Sequence, residues 1–127
     1  MNIIISNSSD SPIYEQIVNQ IKNQIIDDSL KSGDLLPSIR SLAKDLKISV
    51  ITTKRAYEDL EREGFIEVVP GKGCYVANKN KDFIREEQLK LSEVFLQKAV
   101  DIAKRSNISY EELANILLLL YDDNENL

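Results

Sequence analysis

Histidine and tryptophan are absent from this 127-residue sequence, and cysteine occurs once, at Cys74. Without histidine the chain lacks the side chain that most often shuttles protons near neutrality and most often ligates transition metals. No metal site is expected, and a zinc-finger reading is excluded. A single cysteine rules out an internal disulfide and fits a reducing compartment. Apolar runs are short as well: the longest, Ile116 to Tyr121, is six residues, against the ~20 needed to span a bilayer. Met1 to Asp10 has neither the basic start nor the long apolar stretch of a secretory signal. The expected location is the cytoplasm.

What is present is the balance of a folded protein, with 43% hydrophobic and 29% charged residues. The net charge of −5 argues against a nucleic-acid partner only until it is divided along the chain. Residues 1–32 carry a net −2 and residues 80–127 a net −4, whereas residues 33–79 carry a net +1. Their cations are Arg40, Lys44, Lys47, Lys54, Arg55, Arg62, Lys72 and Lys79. One basic face beside an acidic accessory segment is compatible with that asymmetry.

Hydrophobic periodicity sets the elements. Ser11-Pro12 has the chemistry of a helix cap followed by proline at the first helical position. Ile13, Ile17, Ile21 and Ile25, flanked by Tyr14, Val18 and Ile26, then form the stripe of a core-facing helix. That helix is expected to end between Ser29 and Gly33, with Gly33 as its stop. A short helix follows from Leu36-Pro37-Ser38, burying Leu42, Ala43 and Leu46. After a tight turn at Lys47-Ile48, Ser49 caps a third helix reaching about Glu63, with Thr53, Ala56, Tyr57 and Leu60 inward. The period then switches to a hairpin: Phe65 to Val69, a turn at Pro70-Gly71-Lys72-Gly73, and Cys74 to Ala77. Two helices joined by a short turn and followed by a hairpin make a winged helix-turn-helix. Asn78 to Lys81 reads as a linker. Two helices follow, from about Asp82 to Lys104 and from Ser109 to near Tyr121, the second opened by the capping-box pair Ser109 and Glu112. The acidic tail Asp122 to Leu127 is expected to fray. The expected fold is thus mainly α with a small β-hairpin: a winged helix-turn-helix domain over residues 1–77 and a C-terminal two-helix dimerisation segment over 78–127.

These residues carry a recognisable order. Gly33-Asp-Leu-Leu-Pro-Ser-Ile-Arg-Ser-Leu-Ala-Lys-Asp-Leu46 resembles the second-helix signature of the GntR superfamily. The resemblance continues through Ile48-Ser49, Thr52, Ala56-Tyr57, Leu60-Glu61, Glu63-Gly64-Phe65-Ile66 and Gly71-Lys-Gly-Cys-Tyr-Val76, covering roughly residues 10 to 77. The remaining fifty or so residues are similar to the YtrA-type subfamily, in which two helices replace a large effector domain and mediate dimerisation. The resemblance implies a transcriptional regulator, typically a repressor of its own operon, often together with ABC-transporter genes.

On DNA, the start of the third helix is expected to enter the major groove, where every base pair has a distinct donor–acceptor pattern. Ser38 and Ser49 stand at helix N-termini suited to phosphates. Family correspondence makes Arg40 the leading base or phosphate contact, and Ser49, Val50, Ile51, Thr52 and Lys54 the reading-head positions. Val50 departs from the family, which often has arginine there, so the usual guanine contact is not expected at this position. A helical projection turns Ile51 and Arg55 away from the core. Val50 and Ile51 are expected to meet thymine methyls, leaving guanine to Arg40. Lys72, between Gly71 and Gly73, is placed at the wing tip beside the minor groove. Gly71-Lys-Gly73 is no nucleotide-binding motif, since the third glycine and the following helix are missing. Cys74 is read as a small strand residue, because a redox role needs a lowered pKa.

The last two helices have more apolar surface than two stripes can cover. Leu91, Phe95, Ile102, Leu113, Ile116, Leu117 and Leu120 are therefore assigned to a homodimer interface. A dimer would read a palindromic double-stranded operator with half-sites about 10 bp apart or a multiple. No cofactor is expected. A small-molecule effector could bind only at the dimer interface or between domains. No arrangement of carboxylates and lysines resembles an active site. The rival reading is a winged-helix protein-interaction adaptor without an operator.

Overall fold

The isoleucine stripe is the centre of the first part of the molecule. Ile17, Val18, Ile21 and Ile25 are the buried side of helix α1 (Ile13–Ile26). Across from them lie Leu42 of α2 (Ile39–Leu46) and Ala56, Tyr57 and Leu60 of α3 (Val50–Arg62). Phe65, with Ile66 of strand β1 (Ile66–Val69) and Val76 of β2 (Gly73–Val76), closes this core. Burial of each such aliphatic side chain contributes about 1.5–3 kcal/mol. The computed structural model describes residues 1–78 and 81–125. It divides into two compact units inside the next helix, one of residues Met1–Ile84 and the other from Arg85 onward. Among the described residues the fold is mainly helical, with one antiparallel hairpin in which Ile66 faces Val76 and Val69 faces Gly73.

The start of α1 departs from the expectation by one residue. Pro12, not Ser11, occupies the cap position, without a side-chain cap. The Pro12 carbonyl takes the first helical bond from Gln16 N at 3.1 Å. The end departs further: α1 stops at Ile26, before Ser29, and Gly33 is not its terminator. Asp28 adopts φ 65°, a left-handed turn that a short polar side chain tolerates. Leu30 N then reaches back to the Gln24 carbonyl at 2.8 Å.

Residues before α1 are tied to its side by glutamines at one-turn spacing. The side chain of Gln20 both accepts from Ile4 N (2.8 Å) and donates to Ile4 O (2.7 Å). Gln16 does the same at Ser6, at 2.9 Å for each bond, and Gln24 donates to Asn2 O at 2.7 Å. Three side-chain amides thus stand in for a neighbouring strand. The alternate residues Ile3 and Ile5 turn to the core, Ile3 buried and Ile5 half-buried.

The second unit has two helices, the body of α4 (Lys81–Arg105) and α5 (Tyr110–Glu125). Asn107 in the left-handed conformation makes the turn between them. The capping box forms as read: Ser109 Oγ accepts from Glu112 N at 3.2 Å, and Glu112 Oε2 accepts from Ser109 N at 2.9 Å. The expected fraying from Asp122 is not seen, because α5 continues to Glu125. Asn126 and Leu127 of that tail, and Lys79 and Asn80 of the expected linker, lie outside the described residues. Ile84, the fourth residue of α4, is buried and belongs to the first unit. No helix among the described residues is long and apolar enough to cross a membrane.

Candidate nucleic-acid interface

Both helix starts implicated by the sequence are closed by serine. Ser38 Oγ accepts from Ser41 N at 3.0 Å, and Ser49 Oγ accepts from Thr52 N at 3.0 Å. Each cap residue is itself in the extended conformation, and its hydroxyl fixes the first turn that follows. The Ser49 hydroxyl also donates to Thr52 Oγ1 at 2.8 Å. The Thr52 hydroxyl hydrogen remains available to an acceptor outside the protein.

A chain of hydrogen bonds joins helix starts to wing. Tyr57, buried on α3, donates its hydroxyl to the Pro37 carbonyl at 2.7 Å, immediately before the α2 cap. One residue earlier, Leu36 N donates to Cys74 O in β2 at 2.8 Å. Gly33 N donates to Val76 O (2.8 Å) and Val76 N to Asp34 O (2.9 Å), so residues 33–36 run as a third strand-like edge bridged at Leu35 and Tyr75. The sequence reading missed this edge. Its signal was the extended Leu36 before Pro37, a restriction proline imposes on its predecessor. Gly33, expected to stop α1, has φ 86° at the entrance to this edge.

At the wing, a three-residue loop carries Lys72, which is exposed to solvent. Gly71 has φ 77° with open space where a Cβ would stand. Gly73 has φ 121°, and a Cβ there would lie 3.2 Å from Leu35 Cδ1. Its need for glycine is therefore internal to the fold, whatever it touches outside. Cys74 is half-buried beside it, and burial followed by the charge of Glu61 pushes its thiol pKa up. This is the opposite of an activated thiolate. The Tyr57 phenol is also pushed up, by burial first and Cys74 second.

On α3 the exposed face is led by Ile51, at 81% exposure, with Val50 about half exposed. Lys54 Nζ lies 3.8 Å from Glu58 one turn on. Arg55 stacks its guanidinium carbon 3.7 Å from the ring centroid of Tyr14 on α1. Arg40, second residue of α2, is exposed and has no ion-pair partner among the described residues. All eleven sequence-selected positions, from Ser38 to Gly73, belong to the first unit. The dimer candidates belong to the second. There Leu91, Phe95, Ile102, Ile116, Leu117 and Leu120 are all about half exposed, and Leu113 is half-buried. Among the described residues, no group of acidic or cysteine side chains could hold a metal ion.

The arrangement has known counterparts. The family described as bacterial regulatory proteins, gntR family, matches residues 13–76. The chain is 35% identical over 111 residues to the HTH-type transcriptional repressor YtrA of Bacillus subtilis (strain 168), covering 87% of this chain and 85% of that protein. Among solved structures, a transcriptional regulator from Oenococcus oeni is similar at TM-score 0.76 and 27% identity, over 92% of this chain and 97% of that one. YtrA from Sulfolobus acidocaldarius, a GntR-family transcription factor, is similar at TM-score 0.57 and 36% identity, over 95% and 97%. The N-terminal domain of AraR, in a complex with mutant ORR3, is similar at TM-score 0.50 and 27% identity, over 53% and 96%. The chain belongs to the gntR family of bacterial regulatory proteins, within it to the YtrA type, and is a DNA-binding transcriptional regulator rather than an enzyme.

Proposed function

We propose that this regulator is a cytoplasmic homodimer that represses transcription, including that of its own operon and of ABC-transporter genes within it, by occupying a palindromic operator. The observation that carries the reading is the hydrogen-bonded frame from Tyr57 through Pro37 and Leu36 to Cys74. It fixes two capped helix starts and the wing as one rigid reading surface. In this reading the start of α3 enters the major groove, where Val50 and Ile51 meet thymine methyls and Thr52 offers a hydroxyl. Arg40 binds guanine or phosphate, Lys54 and Arg55 flank the groove, and Ser38 and Ser49 present helix N-termini to phosphates. Lys72, between Gly71 and Gly73, follows the minor groove.

The second unit supplies the partner surface. Its half-exposed leucines on α4 and α5 are too many for a solvated face, and an isologous pairing of the same residues is the simplest cover. Repression is supported by similarity to the Bacillus subtilis repressor YtrA. No cofactor takes part in this mechanism, and a small-molecule effector acts through the dimer interface.

Selection of genomic fragments with the purified protein, followed by titration of the best fragment at two salt concentrations, tests the reading. A palindrome with half-sites a helical turn or a multiple apart, and an affinity falling steeply with salt, is the expected result. Enrichment of no fragment by a well-behaved dimer would replace it with the adaptor reading. Sites with no thymine preference within the half-site would remove the methyl contacts of Val50 and Ile51.

A further inference from the structure

Arg55 and Lys54 are adjacent cations on α3, yet they are held in different ways. Lys54 lies 3.8 Å from the carboxylate of Glu58. Arg55 has no carboxylate within ion-pair distance among the described residues. It is held instead by a neutral ring, with its guanidinium carbon 3.7 Å from the Tyr14 centroid. The difference decides what each cation has left to give. A cation over a ring is bound through its flat face, while all five guanidinium N–H groups point outward in the plane of the fork. Those donors match two phosphate oxygens, and the ring leaves both charge and donors uncompensated.

Position agrees with that chemistry. Arg55 follows Ile51 by four residues, a 40° offset at 100° per residue, so both share the exposed side of α3. It lies one turn deeper than the residues offered to base edges. On a helix entering the groove by its first turn, that depth faces the backbone flanking the groove rather than the bases. Tyr14 comes from the first turn of α1 and is half-buried, so its ring is a fixed platform rather than a wandering side chain.

We propose that Arg55 is a phosphate clamp and that Tyr14 is its positioning residue, holding the guanidinium over a ring so that its donors meet the DNA backbone already oriented. The proposal rests on the operator-binding reading above and adds to it a residue on α1. A stacked arginine loses fewer degrees of freedom on binding than a free one, so the ring acts on affinity without touching DNA.

The test is the salt dependence of binding of the dimer to the selected operator and to a random-sequence duplex. Arg55→Ala should weaken binding to both on the order of tenfold per protomer. It should also flatten the slope of log affinity against log salt by about 0.9 per protomer. Arg55→Lys keeps a charge without the planar fork, and should keep the slope while losing affinity. Tyr14→Leu should cost about two- to fivefold, and nothing further in the Arg55→Ala background. Tyr14→Phe, which keeps the ring, should restore the wild-type values. A merely structural Tyr14 would lower the melting temperature and leave the two variants additive, which overturns the positioning role. An unchanged slope in Arg55→Ala, or a relaxed preference at one operator base, overturns the clamp. Failure of the wild type to bind either duplex at low salt overturns the operator reading instead, so the two failures are distinguishable.

Discussion

The first unit buries what the second leaves open. In the first, Ile17, Ile21, Ala56 and Leu60 have no measurable exposure, and a continuous cluster joins three helices to the hairpin. In the second, Ala103 is the sole buried residue among the described ones, while five consecutive apolar side chains from Ile116 to Leu120 are about half exposed. Both have helices with ample leucine and isoleucine, so composition does not separate them. Geometry does. Three helices and a hairpin enclose a volume, whereas two helices meet along one stripe and leave the others uncovered. A closed core covers its own apolar side chains, and an open one leaves them exposed. The apolar groove between α4 and α5, about 340 Å³ and lined by Leu96, Val100, Leu113 and Leu117 among others, belongs to the second kind.

The largest effect should come from charging the open surface. Leu117→Asp with Leu120→Asp is expected to turn a dimer into a monomer by light scattering. It should lower operator affinity by about 10²- to 10⁴-fold through loss of the second reading head. A variant that remains dimeric would place the interface elsewhere and break the comparison. Next, Ile21→Ala in the closed core should cost about 2–5 kcal/mol, read by urea unfolding and independent of protein concentration. Unfolding of the open unit should instead depend on concentration. Equal concentration dependence in both would mean that they melt as one body. Smaller again is Tyr57→Phe, which removes the hydroxyl bonded to Pro37. A loss of about 1–2 kcal/mol is expected, with a disproportionate loss of operator binding if the frame positions both helix starts. The smallest effect concerns Cys74. Its thiol pKa is raised on folding, so the folded state favours the protonated form. That contribution is complete below the unfolded thiol pKa of about 8.5 and declines as pH rises through the higher folded value. Iodoacetamide should accordingly label the native protein more slowly than the urea-unfolded one at pH 8. Equal rates would put the thiol in open water.

Local rules made much of this visible in advance. The inward residues of α3 and the Ser49 and Ser109 caps follow from spacing within a dozen residues, and the structure has them. The hairpin turn closes one residue earlier than expected, with Gly73 already in β2. What stayed hidden depends on partners far away in sequence. The end of α1 was misplaced because a glycine is a stronger sequence signal than Asp28, whose left-handed turn is closed by Leu30 reaching Gln24. The strand-like edge at Leu35 depends on Tyr75, and the wing's Gly73 on Leu35. Arg55 was recognised as facing outward, but its partner Tyr14 is 41 positions earlier, and nothing in either neighbourhood announces the other.

The glutamine side of α1 has a consequence for exchange of amide hydrogens with solvent. Ile4 and Ser6 donate their N–H groups to Gln20 and Gln16, whereas Ile3 and Ile5 have no such acceptor among the described residues. Deuterium should therefore enter the first residues in alternation, fast at the odd positions and slow at Ile4 and Ser6. A zebra pattern of that kind ordinarily signifies the edge of a sheet; here it would be written by the side chains of a helix.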